Sequence, residues 1–216
     1  MRMEIKNIRP GDIEKKSFEI IADELKKRNI TLIPGTEPIV MRCIHTSADF
    51  DYAESLYFSD GVIDRAIGAL RSGADIVTDT QMAMAGISKK TLARFGGQVH
   101  CFMADEDVAE EAKRRGVTRA VVSMEKAAKL EKPLIFAIGN APTALIRTAE
   151  LYEQGKIRPE AVIGVPVGFV NVVASKEKIM QTGVPCIVAR GRKGGSNIAA
   201  CICNALLYTA SGRKLT

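Results

Sequence analysis

The feature that most constrains this chain is a series of short, continuously apolar runs, each followed by a stretch with helical periodicity. Leu134-Ile135-Phe136-Ala137-Ile138, closing in Gly139-Asn140, is the plainest of them. Residues 161–166 and 184–190 repeat the pattern, and residues 74–79 and 98–103 precede it. A strand with one wet face alternates apolar and polar residues, whereas a strand covered on both faces does not. Such strands alternating with helices fold as a mainly parallel β-sheet with helices on both faces. The expected class is therefore α/β. No repeat, low-complexity stretch or linker divides the chain, so residues 1–216 are expected to form a single domain, with 211–216 as a frayed tail.

Helical stretches fall between these runs. Residues 12–29 open at Asp12, a suitable N-cap, and place Ile13, Ile20, Ile21 and Leu25 on one stripe that also carries Ser17. Helical segments are also expected over 49–58, 60–72, 105–115, 124–130, 142–154, 168–181 and 197–209, several of them stopped by glycine. Residues 119–123 fit either a short strand or the approach to a helix. Residues 39–47, Ile-Val-Met-Arg-Cys-Ile-His-Thr-Ser, read as a buried first strand ending in His45. In that reading Arg42 points to the opposite face from His45, and Cys43 shares its face about 7 Å away, too far for a dyad.

With 46% hydrophobic and 26% charged residues, the 216-residue chain can bury a full core. Charges run through residues 1–30, which argues against a signal peptide, and no apolar run approaches the roughly 18–20 residues of a membrane span. A cytoplasmic protein without a membrane partner is expected. The five cysteines are odd in number and contain no C-x-x-C pair, so they read as buried thiols, with no metal site implied. Net charge is +6, but bases and acids interleave, aromatics are only 5% and tryptophan is absent. That composition disfavours nucleic acid and suits a small polyanion.

In a parallel sheet, chemistry collects beyond the carboxyl ends of the strands. The residues expected there are His45-Thr46, Thr78-Asp79, Asn140 to Thr143, Pro166 to Gly168 and Arg190-Gly191, a polar and glycine-rich set. Three of these turns feed helices, whose N-termini present free N–H groups to anions. The loop Gly191-Arg192-Lys193-Gly194-Gly195-Ser196 adds two cations. It is no phosphate-loop motif, and no dinucleotide fingerprint follows a strand, so a nucleotide cofactor is unsupported. Of the two histidines, His100 lies mid-strand and reads as a packed residue; His45 is terminal, where an imidazole can take and return a proton.

Five segments together resemble one family. They are residues 42–50 (Arg-Cys-Ile-His-Thr-Ser-Ala-Asp-Phe), 78–82 (Thr-Asp-Thr-Gln-Met), 139–145 (Gly-Asn-Ala-Pro-Thr-Ala-Leu), 164–170 (Gly-Val-Pro-Val-Gly-Phe-Val) and 191–196. In this order they are similar to the precorrin-8X methylmutases, over about residues 10–208. The resemblance implies an isomerase of cobalamin biosynthesis that moves a methyl group from C-11 to C-12 of the corrin precursor. It also implies a homodimer with a corrinoid substrate and no cofactor. It places the family's proton donor on His45, a helix serine on Ser17 and an arginine on Arg119, with Arg114 and Arg115 nearby. Arg42, Thr78, Asp79, Met82, Asn140, Gly168, Gly191, Gly194, Gly195 and Ser196 complete the expected substrate site, with Met84 a further candidate for the apolar ring. A non-catalytic tetrapyrrole or anion carrier is the alternative from another class.

Overall fold

The apolar runs pair side by side in one six-stranded sheet of order β1-β6-β5-β4-β2-β3. The computed structural model describes Arg9 and residues 12–213. The strands are β1 (Leu56–Phe58), β2 (Asp75–Thr78), β3 (Val99–His100), β4 (Leu134–Ile138), β5 (Ala161–Gly164) and β6 (Cys186–Ala189). All neighbours pair in parallel except β1, which runs antiparallel to β6 at the edge.

Eleven helices cover the sheet among the described residues: α1 (Ile13–Lys27), α2 (Glu37–Ser47), α3 (Tyr52–Ser55), α4 (Val62–Arg71), α5 (Gln81–Gly86), α6 (Lys89–Ala93), α7 (Glu106–Arg115), α8 (Arg119–Ala127), α9 (Pro142–Glu153), α10 (Val172–Gln181) and α11 (Ser196–Ala210). Strand pleating divides the core in two. Ile76, Ile135, Ala137, Ile163 and Ile187 point into the layer of α1, α2, α4 and α11. Val77, Phe136, Ile138, Val162 and Val188 point into the layer of α8, α9 and α10. That is why β4, β5 and β6 carry no charged or hydroxyl-bearing residue: both faces are buried, and each large side chain contributes about 1.5–3 kcal/mol on leaving water. Helix α11 is apolar nearly all round because it lies between the sheet and the helices α2, α4 and α5.

Several boundaries differ from the sequence expectation. Residues 39–47 are not a strand but most of α2. Pro38 sits in the first turn, where its missing N–H costs nothing, and the buried residues Ile39, Val40, Cys43 and Ile44 recur at helical spacing. The first strand is instead β1, and only Tyr52–Ser55 of the expected 49–58 helix is helical. Beyond His100 the third run turns into a 3-10 helix, Phe102–Ala104. Residues 119–123 belong to α8, and α10 begins at Val172 rather than at Gly168. Along α1 the stripe splits: Phe18, Ile21 and Leu25 are buried, but Ile13 and Ile20 are half-exposed or more. Asp12 is the N-cap residue, yet its side chain caps no amide. The tail expected over 211–216 lies partly outside the described residues.

Candidate active site at the carboxyl rim of the sheet

Asp79 follows β2 and is fully buried. Its carboxylate accepts three backbone amides of the β4–α9 turn: Gly139 N at 2.8 Å, Asn140 N at 2.8 Å and Ala141 N at 2.6 Å. Burial pushes its pKa up, and the three amides pull against that shift. The carboxylate thus holds the turn after β4 in place. It leaves Asn140 exposed at the rim.

The next residue, Thr80, caps α5 through Ala83 N at 3.0 Å and bonds the Ser196 hydroxyl at 2.8 Å. Thr78 donates back to the Thr80 carbonyl at 3.1 Å. Ser196 opens α11, and Gly139 lets that helix start approach β4: a Cβ at 139 would stand 2.7 Å from Ser196 Cα and 2.8 Å from the Gly195 carbonyl oxygen. Gly194 meets β5 in the same way, since a Cβ there would lie 2.1 Å from the Val165 carbonyl oxygen. Gly195 N donates to that carbonyl, and Gly168 N donates to Arg192 O at 3.2 Å. Asp79, Asn140, Gly168, Gly194, Gly195 and Ser196 are therefore gathered along one edge.

His45 stands in the last turn of α2 and is exposed. Its ring centroid lies 5.4 Å from that of Phe18 on α1. Because 42 and 45 are three apart on a helix, Arg42 shares this face instead of opposing it. The guanidinium lies 5.3 Å from the Phe18 ring centroid and 4.8 Å from that of Tyr208, and it pairs with Glu14 at 2.8 Å. Cys43, two residues back, turns into the core. The end of α2 is tied to the rim twice: Thr46 Oγ1 donates to Cys201 Sγ of α11 at 3.2 Å, and Lys193 of the glycine loop bonds Asp49 at 2.6 Å and Asp51 at 2.5 Å.

Other expected site residues stand around this edge. Met82 on α5 is exposed, as are Phe169 and Val170 beside Gly168. Arg119 opens α8, with its guanidinium 3.5 Å from the Met103 carbonyl oxygen, and the neighbouring Thr118 bonds Thr143 of α9 at 2.9 Å. Ser17 does not face the core; its hydroxyl donates to the Ile13 carbonyl at 2.9 Å. His100 is packed, as expected, with Nε2 2.9 Å from Asp75.

The exposed His45 imidazole, the exposed Arg119 and Arg192, the start of α11 and the exposed Met82, Phe169 and Val170 thus stand around the rim. The sequence profile described as precorrin-8X methylmutase matches residues 12–209. The chain belongs to this family. It is similar to the cobalt-precorrin-8 methylmutase of Priestia megaterium, at 44% identity over 94% of this chain and 89% of that one. The cobalt-precorrin-8 methylmutase of Salmonella typhimurium is 43% identical over 92% and 95%. The crystal structure of precorrin-8X methyl mutase from Thermus thermophilus superposes with a TM-score of 0.84 at 35% identity, covering 93% of this chain and 98% of that one.

Within this methylmutase fold, two residues that sequence reasoning passed over help to build the rim. Lys176 is a fully buried cation on α10 whose Nζ bonds the Gly191 and Lys193 carbonyls. It sits in Ser175-Lys176-Glu177-Lys178, which reads as an ordinary solvated helix face, so nothing in the sequence marks it. Thr80 was visible in the 78–82 segment, but its bond to Ser196 joins residues 116 apart in sequence.

Proposed function

We propose that the chain is a methylmutase of corrin-ring biosynthesis, acting in the cytoplasm, that isomerises precorrin-8X or cobalt-precorrin-8 by moving the methyl group from C-11 to C-12. His45 protonates a ring nitrogen, which polarises the conjugated macrocycle and eases a 1,5-sigmatropic shift. The proton returns to the imidazole afterwards, so substrate and product differ only in the position of one methyl. The observation that carries this reading is the exposed His45 imidazole at the end of α2, a helix end that Thr46 and Asp49 tie to α11 and the glycine loop, in a chain of this family. Carboxylates of the substrate meet Arg42, Arg119 and the loop that carries Gly191, Gly194, Gly195 and Ser196, with Asn140, Gly168 and the residues Thr78 and Asp79 shaping the floor. Met82, Phe169 and Val170 offer apolar surface to the ring. The working form is a homodimer. The two relatives' names specify the cobalt-bearing precursor, which favours that substrate.

Incubation with the methylated precursor, followed by its absorption spectrum, tests the reading. Wild-type protein is expected to change the spectrum, and His45→Ala to fold normally while losing turnover by about 100-fold or more, the scale of a lost general acid. Full activity in that variant overturns the assignment of His45. Tight retention of the coloured ligand with no spectral change by the wild type indicates a carrier instead.

A further inference from the structure

Lys176 is the only large charged side chain that the described core buries completely. Its Nζ donates to Gly191 O at 2.9 Å and to Lys193 O at 2.8 Å, two carbonyls of the glycine loop. Among the described residues no carboxylate pairs with it. Every peptide in the described residues is trans, so the C=O and N–H of one unit point in opposite directions. Drawing the Gly191 and Lys193 carbonyls inward therefore turns the amides of Arg192 and Gly194 outward. Among the described residues neither amide donates to a protein acceptor. Two outward N–H groups with a buried cation behind them form an anion cradle.

We propose that Lys176 is a positioning residue: it fixes the glycine loop so that the Arg192 and Gly194 amides receive a substrate carboxylate. The proposal rests on the methylmutase reading and assigns to that site a residue that touches no substrate. Burial holds the Lys176 ammonium down to about 8, so its charge is lost within an accessible range. The charged groups on the elements around it are Glu177, paired with Arg190 at the end of β6, Lys178, paired with Glu153 on α9, Lys193, paired with Asp49 and Asp51, and Arg192, which lies over the Phe169 ring. Substrate carboxylates are ionised throughout this interval.

Steady-state rates and equilibrium dialysis of the coloured corrinoid product test the proposal on the intact protein. Lys176→Met is expected to raise KM and Kd about tenfold, the effect of one lost charge-assisted contact, while kcat stays within about threefold. Wild-type Kd is expected to weaken about threefold between pH 7 and pH 9, with no such change in Lys176→Met. A folded Lys176→Met protein with wild-type Kd overturns the proposal. If that variant fails to fold, a wild-type Kd that is flat from pH 7 to pH 9 overturns it instead. A wild type that binds the product but does not isomerise the precursor sinks the catalytic reading and leaves the Kd comparison to decide Lys176. Absence of wild-type binding overturns both.

Discussion

Adding one methyl at Gly139 and one at Gly68 is expected to move stability in opposite directions. Gly139 has no positive φ, so alanine there meets no backbone strain; the obstacle is purely steric. The new Cβ would lie 2.7 Å from Ser196 Cα, 2.8 Å from Gly195 O and 2.8 Å from Ser196 N. All three are backbone atoms, and none can swing aside as a side chain end can. The start of α11 or the end of β4 must move, an overpacking cost of about 2–3 kcal/mol, which for a chain of this size lowers Tm by roughly 4–12 °C. Gly68 sits exposed in α4 with nothing within 4 Å of an added Cβ. Alanine there removes a flexible residue from a helix and is expected to stabilise by about 0.5–1 kcal/mol. Urea unfolding of the two variants, with unchanged slope, gives both values. Because the displaced helix start carries Ser196, Gly139→Ala is also expected to lose turnover on the order of 100-fold, the effect of an ångström-scale misplacement. A Gly139→Ala protein as stable as the wild type would refute the close approach on which the rim depends.

Asp79→Asn keeps one acceptor where two oxygens now serve three amides, so at least one buried N–H faces an NH2 group; about 1–3 kcal/mol of stability is expected to be lost, read from the urea midpoint. Ser17→Ala removes only a bond to the helix's own carbonyl and should leave Tm within about 2 °C, since such surface changes fall within ±0.5 kcal/mol. A several-fold rise in KM in that variant marks a ligand contact, and an unchanged KM returns Ser17 to a structural role. For Lys176 the folded pKa lies below the unfolded value, so between pH 8 and 10 the unfolded chain holds a proton that the folded chain has released. Stability therefore rises with pH there, by about 2 kcal/mol relative to Lys176→Met, and identical pH slopes for the two proteins would contradict the burial of the amine.

The central strands were legible because burial on both faces leaves continuous apolar runs, as in Leu134–Ile138, with no competing helical signal. Residues 39–47 misled for the same reason. Ile39, Val40, Met41 and Ile44 are apolar and partly β-branched, and a short run of that kind reads both ways. Pro38 and the recurrence of buried positions at 39, 40, 43 and 44 were the signals of a helix. His45 still arrived at the rim, because α2 ends beside the same loops that follow the strands. It ends a helix, not a strand. The Asp79 cradle was foreseen only as a polar residue past β2; its three amide partners come from a turn some 60 residues later. Lys176 left no trace, since burial of a lysine depends on a loop that sequence places elsewhere.

The salt bridges from Lys193 to Asp49 and Asp51, with α2 seated on α11 and β1 added to the edge beyond β6, have a consequence for biosynthesis. The segments α2 and β1 leave the ribosome well before their partners α11 and β6. A nascent chain stopped short of residue 193 would present the oily side of α2 to chaperones and hold no competent catalytic pocket. Residues 186–210 must be made before α2 and β1 can settle, so products truncated ahead of them are expected to be cleared rather than to persist as weakly active fragments.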